Sequence, residues 1–249
     1  MLFLTLNMTK ILAIDTSSEN CSVALFSQNS ITSECESAPR NHTQRILPMV
    51  KSVIANQGLA LSDLDAVAFG CGPGSFTGIR ISAGIAQGLA FGLNCPVYPV
   101  SSLEALALQS FRQTGEKRVF VAIDARMDEV YWGAYELAVS GSDSGLGREV
   151  SIINLSGEHV CAPEKVDYSW MSGEGIGLKG VGSGLVYLER FPEVLRKSIS
   201  SFKVDFEPTA DAIVELALNA FLRGDEGSIS DALPSYVRDT ITWKKLPGR

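Results

Sequence analysis

The sequence predicts an α/β fold made of two similar halves in tandem, and two observations lead to that expectation. Short apolar runs typical of strands alternate along the chain with amphipathic runs typical of helices. The triplet Ala-Ile-Asp also occurs twice, at 13–15 and at 122–124. In both places it ends an apolar strand, and a polar turn and a second apolar strand follow. A duplicated strand–turn–strand unit would produce this pattern.

The elements of the first half are placed by their apolar spacing and turn residues. Residues 10–26 predict a strand ending at Asp15, a polar turn and a second strand. Residues 43–57 carry apolar side chains at helical spacing, and Pro48 is expected to start a helical piece there or to kink one. The apolar run at 65–69 predicts a short buried strand.

A glycine-rich segment and a further strand and helix complete this half. Ser75 is expected to cap a helix that runs to about Phe91. The next strand is expected at 96–100, with Ser101 or Ser102 capping the helix after it. On that helical segment Gly84 and Gly88 form one row of small residues, and Ser82, Ala86 and Ala90 form another. Interior glycines destabilise a helix by about 1 kcal/mol each, so they imply close contact with another backbone. The residues alone favour contact inside the fold over contact with another subunit.

The second half has weaker signals. Residues 119–135 repeat the strand–turn–strand pattern, and 140–149 are expected to form an exposed loop. A second glycine-rich segment lies at 173–185. Residues 208–224 predict a helix, with proline at its start and glycine at its end.

These elements suggest a division of the chain into two lobes. We expect an N-terminal αβ lobe over 8–110, completed by the C-terminal helix at 208–223, and a second αβ lobe over 111–205. Residues 1–7 are expected to be an N-terminal extension, and 236–249 a basic C-terminal tail. The chain of 249 residues is long enough for one large domain or two small ones.

Composition excludes several classes of protein. The five cysteines are odd in number and include no Cys-x-x-Cys pair, which argues against a disulfide framework and a zinc site. We therefore expect reduced thiols and a cytoplasmic location. A net charge of −7 is unlike that of a dedicated nucleic-acid binder, so any action on RNA is expected to require a partner. The sequence has no apolar run long enough to cross a membrane.

The glycine-rich segment does not match the common nucleotide or hydrolase motifs. A P-loop needs Gly-Lys, but Gly78 is followed by isoleucine and arginine. The spacing of Gly72, Gly74 and Gly78 is one residue too long for G-x-G-x-x-G. Ser75 lacks the flanking glycines of G-x-S-x-G. The two histidines form no metal-binding motif, and His42 is expected to cap a helix or lie at the surface.

Asp15 and Asp124 leave two interpretations open. An aspartate at the end of an apolar strand positions Mg²⁺ or water beside the phosphates in actin-like ATPases, and 173–185 could then hold the adenosine. The chain would in that case be an independent ATPase or kinase. Alternatively, both aspartates accept hydrogen bonds from backbone amides of their own turns.

Five segments together resemble the TsaB (YeaZ) family: ILAIDTSSENCSVAL, NHTQRILPMVKSVI, GPGSFTGIRISAGIAQGLAFG, AIDARMDEVYWGAY and YVRDTITWKKLPGR. The resemblance runs from about Met8 to the C-terminus and is dense in the first 135 residues. It implies the duplicated, ribonuclease H-like fold of actin, Hsp70 and sugar kinases, with two lobes. It also implies a non-catalytic paralogue of TsaD, which transfers a threonylcarbamoyl group to the adenosine beside the anticodon of tRNA.

The resemblance also sets expectations for chemistry and partners. The H-x-x-x-H metal pair of TsaD-type enzymes is absent here, so no catalytic residue, metal or cofactor carries over. The older description of the family as glycoprotease-like peptidases is doubted for want of a nucleophile–base pair. The implied partners are a TsaD-like transferase, which this chain would bind and activate, and a TsaE-like ATPase. Alone, the chain is expected to form a homodimer; it would meet tRNA only indirectly and would not contact a membrane.

The family's contact surface is a bundle of its first two helices, here 43–57 and 75–91. The resemblance therefore favours a subunit interface for the glycine-rich helix. The implied interface residues are Thr43, Ile46, Leu47, Val50, Ile54, Phe76, Ile79, Ile81, Ser82, Gly84, Ile85 and Gly88. The residues of a vestigial nucleotide cleft would be Asp15, Thr16, Ser17 and Asp124.

Overall fold

Two mixed β-sheets form the framework of the protein in the computed structural model, which describes residues 8–140, 149–171 and 177–238. The strands of the first sheet are β1 (Ile11–Asp15), β2 (Asn20–Ser27), β3 (Ser30–Ser37), β4 (Ala66–Gly72) and β5 (Val97–Ser101). The strands of the second are β6 (Arg118–Arg126), β7 (Glu129–Ser140), β8 (Glu149–Asn154), β9 (His159–Cys161), β10 (Leu178–Val181) and β11 (Ile199–Lys203).

The two sheets have the same topology. The first has the order β3-β2-β1-β4-β5, with β1 antiparallel to β2 and parallel to β4. The second has the order β8-β7-β6-β10-β11, with β6 antiparallel to β7 and parallel to β10, and β9 also pairs with β7. The repeated triplet therefore lies on equivalent strands, with Asp15 and Asp124 at matching positions. This duplicated topology, that of actin, Hsp70 and sugar kinases, confirms the predicted fold class.

Helices lie on both faces of the first sheet, and one short helix packs beside β11 of the second sheet. They are α1 (His42–Asn56), α2 (Phe76–Leu93), α3 (Ser102–Thr114), α4 (Glu193–Ser198) and α5 (Ala210–Arg223). On one face α1 and α2 bury residues such as Ile46 and Val50 against Phe69 of β4. On the other face α3 and α5 join a core that also includes Val119 and Tyr135 of the second sheet. Each such apolar side chain contributes about 1.5–3 kcal/mol when fully buried.

Local signals set the helix ends. The side chain of Ser75 caps α2, as predicted, by accepting a hydrogen bond of 3.3 Å from the amide of Gly78. The helix ends at Asn94, which has left-handed backbone angles. Ser101 caps α3 through its hydroxyl, which accepts from two amides of the first turn. The α1 helix continues through Pro48, which neither starts nor ends it.

Several elements depart from the sequence-based expectations. The β3 strand was not predicted, because its sequence SITSECES has one large apolar residue and alternates in exposure at the edge of the sheet. The α5 helix begins at Ala210, two residues later than expected, after an extended Thr209. Strands β8 to β11 fall in the part of the chain where apolar periodicity is weakest.

Some predicted segments lie outside the described residues. These are residues 1–7, 141–148, 172–176 and 239–249. They include the N-terminal extension, most of the expected loop at 140–149, the start of the second glycine-rich segment and most of the basic tail. The remainder of the second glycine-rich segment contains β10 and the start of a short 3₁₀ helix.

Candidate functional site

A cavity of about 850 Å³ lies between the two sheets. Four segments supply most of its lining: the turn after β1 (17–19), the turn into α2 (73–76), the end of β6 (123–126) and the C-terminal segment 235–238. Its size is typical of sites for small molecules. Because the ends of β1 and β6, which carry the two aspartates, point toward this region, a nucleotide cleft would lie here.

Asp15 is bound within its own turn. Its side chain is fully buried and accepts hydrogen bonds from the amide (3.3 Å) and the hydroxyl (3.1 Å) of Ser17. Burial raises the pKa of the Asp15 carboxyl to about 7, and the bonds from Ser17 only partly offset that rise. Gly70 of β4 packs directly on the carboxylate, since a Cβ there would lie 1.9 Å from Oδ1. Asp15 itself does not line the cavity.

The glycine-rich turn before α2 covers the turn after β1. The amide of Ser75 donates to the carbonyl oxygen of Ser17 (2.7 Å), and the hydroxyl of Thr16 donates to that of Gly78 (2.7 Å). A Cβ at Gly78 would lie 1.8 Å from the Thr16 carbonyl oxygen, and one at Gly74 would lie 2.4 Å from that of Ser17. Thr16 and Ser17 are consequently buried by protein backbone. These glycines allow close internal packing of two backbone segments.

Asp124 occupies a more open position. It lines the cavity, and its carboxylate accepts from the amide (2.9 Å) and the guanidinium (3.2 Å) of Arg126. Its own amide donates to the hydroxyl of Ser183 (3.1 Å). The equivalent strands of the two sheets therefore present their aspartates differently, and the structure places only one of the two on the cavity.

The implied interface residues divide into two groups by their burial. The buried group differs from the expectation, because its side chains pack inside this chain. Five of them are buried inside the chain itself: Ile46, Val50, Ile54, Ile79 and Ser82. The hydroxyl of Ser82 donates to the carbonyl oxygen of Gly70 on β4 (2.9 Å), so this side chain faces the sheet. Apolar spacing identifies a helix face correctly but does not distinguish the side toward the sheet from the side toward solvent. Those left at least partly exposed are Thr43, Leu47, Phe76, Ile81, Gly84, Ile85 and Gly88.

A row of exposed residues at regular spacing follows one side of α2. Phe76, Arg80, Gly84, Gly88 and Gly92 lie four residues apart and are all exposed, and we call this row the outer stripe. A Cβ added at any of the three glycines would meet no atom within 4 Å outside the helix's own backbone. The interface expected from the sequence did not include Arg80 and Gly92, although the four-residue spacing could have identified both.

The C-terminal segment connects the two sheets at the cavity. The amide of Ser235 donates to the carbonyl oxygen of Cys71 in β4 (2.8 Å). Arg238 donates to the carbonyl oxygen of Ala125 (3.2 Å) and pairs with Glu129 (2.5 Å) on the second sheet. Tyr236 lies beside the start of α2. No sequence pattern indicated these contacts, because residues 235–238 have no periodicity.

The two histidines have different surroundings. His42 follows the N-cap residue Asn41 and is buried, so it neither caps α1 nor lies at the surface as expected. Among the residues that the structure describes, its Nε2 has no hydrogen-bond partner. His159 instead bonds the carbonyl oxygen of Ser156 (2.7 Å) and packs on Trp132. In the described part of the chain, no group of three or more His, Cys, Asp or Glu could hold a metal ion, and no helix there could cross a membrane.

Comparison with known proteins extends these observations. A family model described as TsaD, tRNA N6-adenosine threonylcarbamoyltransferase, matches residues 28–166. The tRNA threonylcarbamoyladenosine biosynthesis protein TsaB of Escherichia coli is 41% identical, and the match covers 96% of this chain and 99% of that protein. The protein of the same name from Haemophilus influenzae is 42% identical, with coverage of 96% and 98%.

Solved structures agree with this result. YeaZ from Pseudomonas aeruginosa is 41% identical, with a TM-score of 0.80 over 92% of this chain and 100% of that chain. A second structure is described as an uncharacterized protein with similarity to peptidase YEAZ from Pseudomonas aeruginosa. It is 42% identical, with a TM-score of 0.81 over 93% of this chain and 100% of that one. From this nearly full-length similarity in sequence and structure, the chain belongs to the TsaB family.

Proposed function

We propose that this protein is a non-catalytic subunit that binds and activates a TsaD-like transferase in tRNA threonylcarbamoyladenosine biosynthesis. The observation that carries the proposal is the outer stripe, whose three glycines are exposed on a helix. Each interior glycine makes a helix about 1 kcal/mol less stable than alanine would, and no contact within the described chain offsets that loss. A partner helix would offset it, because the distance between packed helices depends on the side chains between them.

The site near Asp15 supports a non-catalytic role. An actin-like ATPase needs aspartates from both halves beside the nucleotide phosphates. Here Asp15 is bound to Ser17, and the Thr16–Ser17 turn is covered by the backbone before α2. An independent ATPase or kinase that uses Asp15 and Asp124 is therefore the less supported hypothesis.

A peptidase activity has still less support. One solved relative is described by its similarity to a peptidase. A hydrolytic nucleophile needs a base within hydrogen-bond reach, about 2.6–3.2 Å. The Nε2 atom of His42 has no hydrogen-bond partner in the described part of the chain, and that of His159 is bonded to a backbone carbonyl. Neither histidine is placed to activate a serine or a cysteine through this atom.

We propose that tRNA is contacted only within the complex. Phosphate neutralisation by Lys and Arg supplies most non-specific affinity for nucleic acids, and this chain has a net charge of −7. Filter binding of tRNA to the isolated chain should therefore be weak at physiological salt. Tight binding that falls steeply with added salt would contradict this part of the proposal.

The proposal is tested by reconstitution. Calorimetric titration of the chain with a TsaD-like protein from the same organism should give saturable binding. With a TsaE-like ATPase present, threonylcarbamoyl transfer to tRNA should be much faster with this chain than without it. ATP hydrolysis by the chain alone should stay at background. Turnover by the isolated chain that disappears in Asp124→Ala, together with no binding to the transferase, would overturn the proposal in favour of the ATPase.

A further inference from the structure

The two helices with the exposed face carry positive charge only. The sequences of α1 and α2 contain Arg45, Lys51 and Arg80 but no aspartate or glutamate. Arg45 already pairs with Glu36 of β3. Lys51 and Arg80 are exposed, and within the described part of the chain neither has a carboxylate partner. The face therefore has two cations that form no ion pair within the described residues.

Arg80 is held in place by aromatic rings. Its guanidinium carbon lies 3.2 Å from the ring centroid of Phe76 and 5.0 Å from that of Tyr236. One guanidinium nitrogen donates to the carbonyl oxygen of Phe76 (3.0 Å). A cation stacked on aromatic faces is stabilised by the ring quadrupole. Its side chain has therefore lost part of its freedom before any partner arrives, which lowers the entropic cost of binding.

The cluster formed by Phe76, Arg80 and Tyr236 has the composition of a binding hot spot. Tyrosine and arginine are enriched among the residues that dominate association energies. Phe76 and Tyr236 are each about half exposed, at 58% and 49%, although both are large aromatic residues. The cluster is continuous with the glycines of the outer stripe, because Arg80 and Gly84 are neighbours one helical turn apart.

We propose that the partner surface that docks on α1 and α2 is acidic. One carboxylate pairs with Arg80 at the N-terminal end of the outer stripe, and a second reaches Lys51. This inference rests on the proposed function and adds the chemistry of the partner to it. A guanidinium binds a carboxylate through two parallel hydrogen bonds, which gives geometric specificity as well as attraction.

The same charges disfavour a second copy of this chain as the occupant. In a two-fold dimer a surface patch meets itself. A second copy would bring the same two cations and no carboxylate on its own α1 and α2. Like charges that are brought together and partly desolvated repel, so the face fits an acidic partner better than it fits itself.

Charge-reversal variants test this proposal with calorimetry at several salt concentrations. Arg80→Glu should weaken binding to the TsaD-like protein about ten- to a hundredfold at low salt, and Lys51→Glu should weaken it less. Binding by the wild-type chain should weaken as salt rises, and that dependence should be smaller for Arg80→Glu. Lys117→Glu is the matched control, because Lys117 is exposed near the second sheet and its reversal changes net charge equally. It should bind like wild type.

The outcomes separate this inference from the proposed function. No binding by the wild-type chain would overturn both. Wild-type binding that Gly84→Leu abolishes, but that Arg80→Glu leaves equal to Lys117→Glu, would keep the interface and overturn the acidic partner. Light scattering, which measures self-association, tests the inference further. Arg80→Glu should leave self-association unchanged or strengthen it. A variant that loses homodimer and heterodimer in equal measure would also contradict the inference.

Discussion

The glycines in and before α2 form two groups with opposite surroundings. The inner glycines are Gly70, Gly74 and Gly78, and the outer glycines are Gly84, Gly88 and Gly92. A Cβ on any inner glycine would come within 2.4 Å of an atom of Asp15, Thr16 or Ser17. A Cβ on any outer glycine would meet no atom of the described chain within 4 Å, the helix's own backbone aside. One segment of sequence thus contains glycines needed for the fold and glycines that the fold does not need.

This difference shows why a glycine-rich sequence cannot be assigned a single role. The inner glycines let α2 and the turn before it pack directly on the Thr16–Ser17 turn. The outer glycines leave a bare strip on the surface, which we have proposed to be a partner contact. Substitutions at the two groups should therefore have opposite consequences for stability and association.

The largest effect is expected at Gly78. Alanine there would place its Cβ 1.8 Å from the carbonyl oxygen of Thr16, which cannot move independently of the backbone. Gly78→Ala should lower the free energy of unfolding by about 4 kcal/mol or more, above the usual 1–3 kcal/mol for overpacking. Urea unfolding measures the change. Gly84→Ala is the control, and it should be slightly more stable than wild type because alanine favours helix. Equal destabilisation by both would contradict the comparison.

A second prediction concerns Asp15 beneath the inner glycines. Its folded-state pKa of about 7 is above the unfolded value of 3.8, so the folded chain binds more protons between these values. The contribution of Asp15 to stability should therefore be highest below about pH 4 and fall as pH rises to about 7, by at most about 4 kcal/mol. Asp15→Asn should remove this component.

The measurement for Asp15 is urea unfolding of both proteins across that pH range. Burial also raises the pKa of Glu104 to about 7, so wild type and variant must be compared directly. The difference between the two curves isolates Asp15. Parallel curves would show that the carboxylate is not desolvated as the structure indicates.

Ser82 provides a third test on the inner side of α2. Leucine would displace a fully buried hydroxyl that donates to the carbonyl oxygen of Gly70. Ser82→Leu should destabilise the monomer by about 3 kcal/mol through overpacking and a lost hydrogen bond. Gly84→Leu, two residues away on the same helix, should change thermal stability little. If Ser82→Leu unfolds at the wild-type temperature, that result would contradict the orientation of α2 in which Ser82 faces the sheet.

The sequence predicts much of the fold because the repeated triplet, the apolar spacing and the capping residues indicate the same strands and helices. The repeated triplet correctly indicated equivalent strands in two sheets, and Ser75 and Ser101 cap the predicted helices. The edge strand β3 was missed because a half-exposed strand with few apolar residues has no strong pattern. Element boundaries such as the start of α5 depend on tertiary contacts, which apolar periodicity does not reveal.

The candidate site was less predictable for a physical reason. Helical spacing places Ile46, Ser82 and Gly84 on two helices. It does not tell which side of each helix faces the sheet, because that depends on the position of the sheet. Packing against β4 buries Ser82 and leaves Gly84 exposed. The covered turn at Thr16 and the connection made by Arg238 join residues far apart in sequence, and no local pattern encodes such contacts.

The most direct test of the central claim is the association of Gly84→Leu with a TsaD-like protein. Calorimetry and thermal unfolding should be measured together for wild type, Gly84→Leu and Gly84→Ala. We predict that Gly84→Leu keeps the wild-type melting temperature and binds about ten- to a hundredfold more weakly, because about 1–3 kcal/mol of overpacking falls at the interface. Gly84→Ala should bind with a smaller loss. Wild-type affinity in a folded Gly84→Leu protein would contradict the claim that the outer glycines form the partner contact.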